Sequence, residues 1–182
     1  GSPPGGGNFV TSRIRQLTVA STNSPVPPAL ICFISSSSSA IISWLVQLGG
    51  FPVGGLPEDG PSDSPFLLNS SYTITADIEV PQGGAEGMIL TSGGRFAGYG
   101  FYLLKGKPVF LWNLVDLKRI KWEGPDVLAP GKHTLVFDFK FDGGGFGKGG
   151  TGTLYVDGVQ ADRKRMEHTV PGRFSGYAGM DI

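Results

Sequence analysis

The sequence is poor in cysteine and carries no excess of charge of either sign. Cys32 is the single cysteine among 182 residues, which excludes an intramolecular disulfide. Lysine and arginine together number 15, as do aspartate and glutamate, so the formal net charge is zero. Because such a chain has no broad positive field to attract polyanions, we expect no nucleic-acid partner.

Charged residues are also missing from Gln16 to Pro57. Within this stretch, residues 28–48 come close to the roughly 20 residues that span a bilayer, and Arg13 and Arg15 precede them as they would precede a signal or anchor. Five consecutive serines at 35–39 interrupt the apolar run. Three interpretations stay open: a membrane or signal segment, a low-complexity leader or single helix packed on the following domain, and a stretch that is not native coding sequence. We expect membrane contact at no other segment.

Glycine, by contrast, is abundant, with 30 of 182 residues against a usual share of about 7%. Glycine clustered among Phe, Val and Thr is typical of short strands joined by tight turns. Residues 49–65 are rich in Gly, Pro, Asp and Ser and are typical of a linker. We therefore divide the chain into a poorly structured or partly helical leader and linker at residues 1–65 and a folded domain at residues 66–182.

Alternation of apolar and polar side chains dominates this folded domain. Over residues 72–80 every even-numbered residue is apolar and every odd-numbered one is polar, which predicts a half-buried strand. Residues 133–141 show the same period, and Lys105-Gly106-Lys107 and the pair Asp157-Gly158 are typical of hairpin turns. Strands at intervals of about 8–12 residues without a helical period between them predict an all-β antiparallel sandwich of the jelly-roll type.

Motifs that carry chemistry are weak in this sequence. The glycine run at 143–150 fits G-x-G-x-x-G, but it joins two predicted strands, which favours a hairpin loop over a phosphate site at a helix N-terminus. Neither His133 nor His168 has a cysteine or a second histidine at metal-binding spacing, so we expect structural roles for both. Scattered aspartates fit turns and solvated positions better than a calcium site. We therefore expect no catalytic residue and no metal in this chain.

Six segments of the folded domain follow one another in an order shared with a known family. They are Asn69–Leu90, Gly93–Tyr102, Gly106–Phe110, Leu128–Leu135, Phe141–Thr151 and Thr153–Gly158. In this order they resemble the C-terminal region of bacterial arylsulfatases. The resemblance covers residues 66–182 and implies a concanavalin A-like or laminin G-like sandwich that follows the catalytic domain and normally continues beyond Ile182. It also implies a periplasmic or secreted bacterial location.

The resemblance does not extend to sulfatase chemistry. In that family a cysteine in the motif C-x-P-x-R becomes formylglycine and acts beside a bound calcium. Cys32 is followed by Phe, Ile, Ser and Ser, so the proline and the arginine of the motif are both missing. We therefore expect that this chain is not an enzyme, and that calcium and formylglycine belong to the catalytic domain of the parent enzyme. Residues 1–60 do not resemble the sequence that usually precedes the sandwich.

The predicted hairpin at residues 99–114 is apolar on both faces, whereas an exposed antiparallel sheet is ordinarily polar on one. One interpretation is that one face fills the core and the other docks on the catalytic domain, and the alternative is that residues 28–48 cover it. The candidate residues for a docking or ligand face are Tyr102, Phe110, Trp112, Asn113 and Trp122.

Two functions follow from this reading of the hairpin. The first is a non-catalytic accessory domain of an arylsulfatase-like sulfuric ester hydrolase, inactive alone and docked on the catalytic domain. The alternative is a free-standing module that binds a glycan or sulfated polymer. In that case Trp112 and Trp122 would stack on sugar rings and the amide of Asn113 would bind hydroxyl groups.

Overall fold

The computed structural model describes residues 13–21, 29–32, 67–93, 97–114, 116–171 and 180–181. Within these ranges the chain forms eleven strands and no helix. The strands are β1 (Arg13–Ser21), β2 (Ala29–Cys32), β3 (Tyr72–Val80), β4 (Gly87–Gly93), β5 (Ala97–Leu104), β6 (Lys107–Leu114), β7 (Lys118–Glu123), β8 (Gly131–Phe141), β9 (Lys148–Val156), β10 (Val159–His168) and β11 (Met180–Asp181). They form two antiparallel sheets around one core, which confirms the predicted all-β sandwich.

The two sheets differ in size, and the chain passes between them three times. The larger sheet has six strands in the order β10-β9-β8-β3-β1-β2, and the smaller has five in the order β11-β4-β5-β6-β7. The chain crosses to the smaller sheet after β3 and returns to the larger one after β7, and β11 belongs to the smaller sheet again. Residues 124–130, which we call the return connection, therefore pass from one sheet to the other.

Aromatic side chains from both sheets meet in the core. The ring of Phe110 on β6 stacks on that of Phe137 on β8, with centroids 3.5 Å apart and planes 13° from parallel. Trp122 on β7 packs edge-on against Phe137 at 5.0 Å, and its Nε1 donates a 2.9 Å hydrogen bond to the carbonyl of Gly152 on β9. Since burying one aromatic side chain removes roughly 150–250 Å² from water, these contacts hold the two sheets together.

Glycine makes room for these rings. A Cβ on Gly152 would lie 2.6 Å from Trp122 and 2.8 Å from Phe137, and one on Gly150 would collide with the ring of Phe139. Only the first part of the glycine run at 143–150 forms the predicted hairpin loop. β9 begins at Lys148, so the last glycines of the run belong to the strand. The predicted loop, which covered the whole run at 143–150, is therefore three residues too long.

Both predicted hairpin turns are found, and the first is one residue shorter than predicted because Lys107 already belongs to β6. Lys105-Gly106 joins β5 to β6, and Asp157-Gly158 joins β9 to β10. All four residues have positive φ, between 51° and 81°, as a type I′ turn requires. These turns fix the register of the hairpins, and hence which side chains face the core.

β1 brings the sandwich into the predicted leader. It pairs with β3 over most of its length, and Leu17 and Val19 are buried in the core. A register shift between Ile14 and Gln16 inserts a bulge, so that Ile14 also packs on the core although it is out of step with the other two. This interrupted alternation hid the strand from a period-two pattern. The sandwich thus begins before residue 66, and the described parts of residues 1–65 are strands rather than helix.

Most of the apolar stretch at 28–48 lies outside the described residues. Its first part is β2, which pairs with β1 at the edge of the larger sheet. In the ranges that the structure describes, no helix is long and apolar enough to cross a bilayer. The interpretations offered for residues 33–48, and the linker at 49–65, stay predictions.

Candidate functional site

The smaller sheet turns alternate side chains of β5 and β6 away from the core. Together with one residue of β4 they form a continuous apolar surface, which we call the outer strip. The outer strip consists of Met88, Tyr102, Leu104, Val109 and Leu111. Met88, Tyr102 and Val109 are direct partners in the antiparallel register, so the strip runs across three neighbouring strands.

The outer strip is only partly covered by the described residues. Met88 is 49% exposed and Leu104 is 44% exposed, whereas Tyr102 and Leu111 are half-buried. Val109 faces away from the core in register between Tyr102 and Glu123, and it is fully buried. The predicted hairpin is therefore buried on its inner face and incompletely covered on its outer one.

Met88 lies over Gly100 of β5, which has no side chain. A Cβ added to Gly100 would lie 3.6 Å from Met88 Sδ and 3.7 Å from the ring of Tyr102. Because Gly100 has no side chain, the thioether of Met88 lies over the β5 backbone. A flexible thioether adapts readily to the shape of an apolar partner, which suits a contact surface.

Charged residues of β7 border the outer strip. Lys121 is in register with Leu111, and its Nζ lies 2.5 Å from the carboxylate of Glu123, which is in register with Val109. This hydrogen bond raises the pKa of Lys121 and lowers that of Glu123, so both groups are charged at neutral pH. Partial burial raises the pKa of the Tyr102 phenol, while Lys121 lowers it and Glu123 raises it, so the phenol is neutral. The strip thus has an apolar centre and a mixed-charge edge.

The structure separates the five residues proposed from sequence. Tyr102 belongs to the outer strip, but Phe110, Trp112 and Trp122 are at most 2% exposed and lie in the core. Alternation along β6 and β7 puts these three rings on the inner face, so they cannot offer a surface to a sugar. Asn113 is also buried, and its Oδ1 accepts a 3.2 Å hydrogen bond from the backbone N–H of Asp116 in the turn that follows β6. The glycan-binding alternative therefore loses the residues on which it depended.

Four residues of the strip were missed as site candidates. Leu104, Val109 and Leu111 could have been found, because each is two residues from a strip member on the same strand and so shares its face. Met88 could not, because a register shift between Met88 and Leu90 breaks the alternation of β4. A period-two pattern gives no warning of such a bulge.

Other candidate functional sites have less support in the structure. No group of three or more His, Cys, Asp or Glu that could hold a metal ion occurs in the described part of the chain. The glycines at 143–147 connect β8 to β9, so their backbone N–H groups do not open a helix as a phosphate site of this motif requires. Among the surfaces of the described residues, the outer strip is the strongest candidate for a functional site.

Comparisons with protein-family models, curated proteins and solved structures found no match to this chain. Fold and site together define an antiparallel β-sandwich with one partly exposed apolar sheet face. The resemblance to arylsulfatases expected from the sequence segments stays a prediction.

Proposed function

We propose that this chain is a non-catalytic accessory domain that docks on the catalytic domain of an arylsulfatase-like sulfuric ester hydrolase through the outer strip. The observation that carries the proposal is the incomplete cover of the outer strip, in which Met88 and Leu104 are nearly half exposed and Tyr102 and Leu111 are half-buried. The resemblance to the C-terminal region of arylsulfatases suggests the partner, and the lack of C-x-P-x-R after Cys32 suggests that the chemistry lies in that partner.

The arrangement of the strip favours docking over incidental exposure. Other large apolar side chains are more exposed, including Leu117 at 90% and Phe146 at 82%, but these stand singly in turns and loops. Isolated exposed apolar residues are common and indicate little, whereas a contiguous patch with a polar rim is typical of an interface. Removing a half-exposed Met or Leu side chain from water on docking would stabilise the complex by roughly 1 kcal/mol each.

The test is association with a sulfatase catalytic domain. The full chain is co-expressed with the catalytic domain of a bacterial arylsulfatase that lacks its own C-terminal region, and the pair is passed over a size-exclusion column. We expect co-elution with the wild-type chain and loss of co-elution with Leu104→Asp, because the new carboxylate would be buried without a partner.

The matched control is Val159→Asp. Val159 is 71% exposed in the β9–β10 hairpin and does not belong to the outer strip. Both variants add one negative charge at an exposed apolar position, so Val159→Asp should co-elute as the wild type does. Equal loss in both variants, or no co-elution with the wild-type chain, would contradict the proposal.

A further inference from the structure

His133, near the start of β8, makes two hydrogen bonds that its neutral form cannot make together. Its Nδ1 lies 2.7 Å from Oδ2 of Asp157, and its Nε2 lies 2.8 Å from the carbonyl oxygen of Ala129. Both partners are acceptors, so both ring nitrogens must carry hydrogen. A neutral imidazole carries one hydrogen and the charged form carries two. This geometry therefore requires a charged imidazole.

Asp157 is itself fixed in position. Its Oδ1 accepts a 2.8 Å hydrogen bond from the backbone N–H of Thr134, and its own N–H donates a 2.8 Å bond to the carbonyl of Thr134. These bonds hold the β9–β10 turn against β8. The carboxylate is thus aimed at the imidazole by the backbone and does not depend on His133 for its place.

The charges around the imidazole come mainly from this turn. From β3, the apolar Ile78 lies directly opposite His133. The flanking Asp77 and Glu79 pair in register with Thr134 and Lys132, on the opposite face of the sheet. Ala129 contributes only a backbone carbonyl from the return connection. Asp157 is therefore the charged group that His133 contacts, and it favours the protonated ring.

Through Ala129 the imidazole holds the return connection. The N–H of Leu128 donates a 2.9 Å bond to the carbonyl of Gly106, and the N–H of Gly124 donates a 2.8 Å bond to that of Pro108. Those bonds attach the connection to the β5–β6 hairpin of the smaller sheet. His133 attaches it to the larger sheet.

We propose that His133 is a pH-sensitive clasp, which fastens the return connection to the β9–β10 turn while the imidazole is charged and releases it when the imidazole is neutral. The clasp links the two sheets at this end of the sandwich, and it does not depend on the docking role of the outer strip.

The sign of the pH effect follows from the contacts. Burial lowers the pKa of His133, but the hydrogen bonds to Asp157 and Ala129 and the negative charge of Asp157 raise it, and the net result lies above the ordinary value of 6.5. A raised pKa in the folded state means that the clasp stabilises fully below pH 6.5 and is lost as pH rises through the folded value. For Asp157, burial raises the pKa, but the bonds from Thr134 and His133 lower it below 3.8, so its contribution is lost only in acid.

The first experiment is a side-chain NMR titration of His133 in the full chain. His168→Gln assigns the signals, because His168 is the other histidine of the sequence. We expect the midpoint of His133 to lie above the ordinary value of 6.5. Asp157→Asn should lower this midpoint, because it removes the negative charge beside the ring, and asparagine tolerates the positive φ of this turn. A His133 midpoint at or below 6.5, or one unmoved by Asp157→Asn, would overturn the proposal.

The second experiment follows the return connection directly. Hydrogen exchange of the Leu128 amide is compared between the wild type and His133→Gln at the same pH, which cancels the intrinsic rate. About one unit below the ordinary histidine pKa, we expect several-fold slower exchange in the wild type, and about two units above it, equal rates. His168→Gln should match the wild type throughout. A ratio between wild type and His133→Gln that does not change with pH would show that the clasp is not a switch.

Discussion

Phe110 and Leu111 are neighbours on β6, and together they show how differently the two faces of the smaller sheet are used. Phe110 is fully buried and stacks on a ring of the larger sheet, whereas Leu111 is half-buried beside Met88 and Tyr102 on the outer strip. Both side chains are large and apolar, so hydrophobicity alone does not decide their burial. The difference arises because the larger sheet packs on one face only.

The largest expected effect comes from truncating the inner member of this pair. Phe110→Ala removes a ring that packs against Tyr99, Phe101, Trp122 and Phe137. We expect a loss of about 3–5 kcal/mol in the free energy of unfolding, from lost transfer energy and a residual cavity. Leu111→Ala is the matched control, with an expected loss of about 1 kcal/mol. Urea denaturation measures both, and similar losses would show that the two faces are packed alike.

A smaller effect is expected from adding a single methyl group to the inner face. Gly152→Ala would place a Cβ 2.6 Å from Trp122 and 2.8 Å from Phe137, so these rings must shift. Overpacking of this kind costs about 1–3 kcal/mol. Thermal unfolding of the variant should show the loss, and an unchanged midpoint would mean that the inner face has unused space.

A double-mutant cycle tests the cause of that loss. Trp122→Phe removes the indole atoms nearest to Gly152, together with the hydrogen bond from Nε1 to its carbonyl. If steric overlap with the indole is responsible, Gly152→Ala should cost less in the Trp122→Phe background than in the wild type. Equal costs in the two backgrounds would instead point to Phe137 or to the backbone of β9.

How much of the fold could be predicted depended on whether alternation was unbroken. β3 alternates strictly, β8 alternates except at the outward-facing Val136, and the two strands pair without a bulge, so their inward faces were predicted correctly. Bulges in β1 and β4 shift the apolar period by one residue. As a result, the sequence pattern did not reveal the part of the core that β1 contributes, nor the outward position of Met88 on β4. A bulge depends on the pairing partner, which one strand does not encode.

The candidate site was harder to predict than the fold, because which face of the smaller sheet stays exposed depends on where the larger sheet packs. Alternation assigns Phe110 and Trp112 to one face of β6, and Val109 and Leu111 to the other. Both faces are apolar, so the pattern does not say which of them the larger sheet covers. The aromatic residues looked like a ligand surface, and the structure buries them. The residues left outside, apart from Tyr102, are aliphatic side chains and a thioether.

The smallest expected effect is at Gly100, which lies beneath the outer strip, and it is a gain rather than a loss of stability. Gly100→Ala would place a Cβ at 3.6–3.8 Å from Met88 and Tyr102, which is ordinary van der Waals contact. Gly100 does not have a positive φ, so alanine fits the backbone and restricts the unfolded chain, and we expect a gain of about 0.4–1 kcal/mol.

The same substitution at Gly93 of the adjacent strand is the control for Gly100→Ala. Gly93 has a φ of +86°, and its Cβ would collide with the backbone of Ala97, so alanine there should destabilise the fold. Thermal unfolding of both variants would separate the two cases. If Gly100→Ala also destabilised the protein, Met88 and Tyr102 would have to be packed as tightly as the core. The two faces of the smaller sheet would then be packed equally tightly, and the outer strip would not have room for a partner.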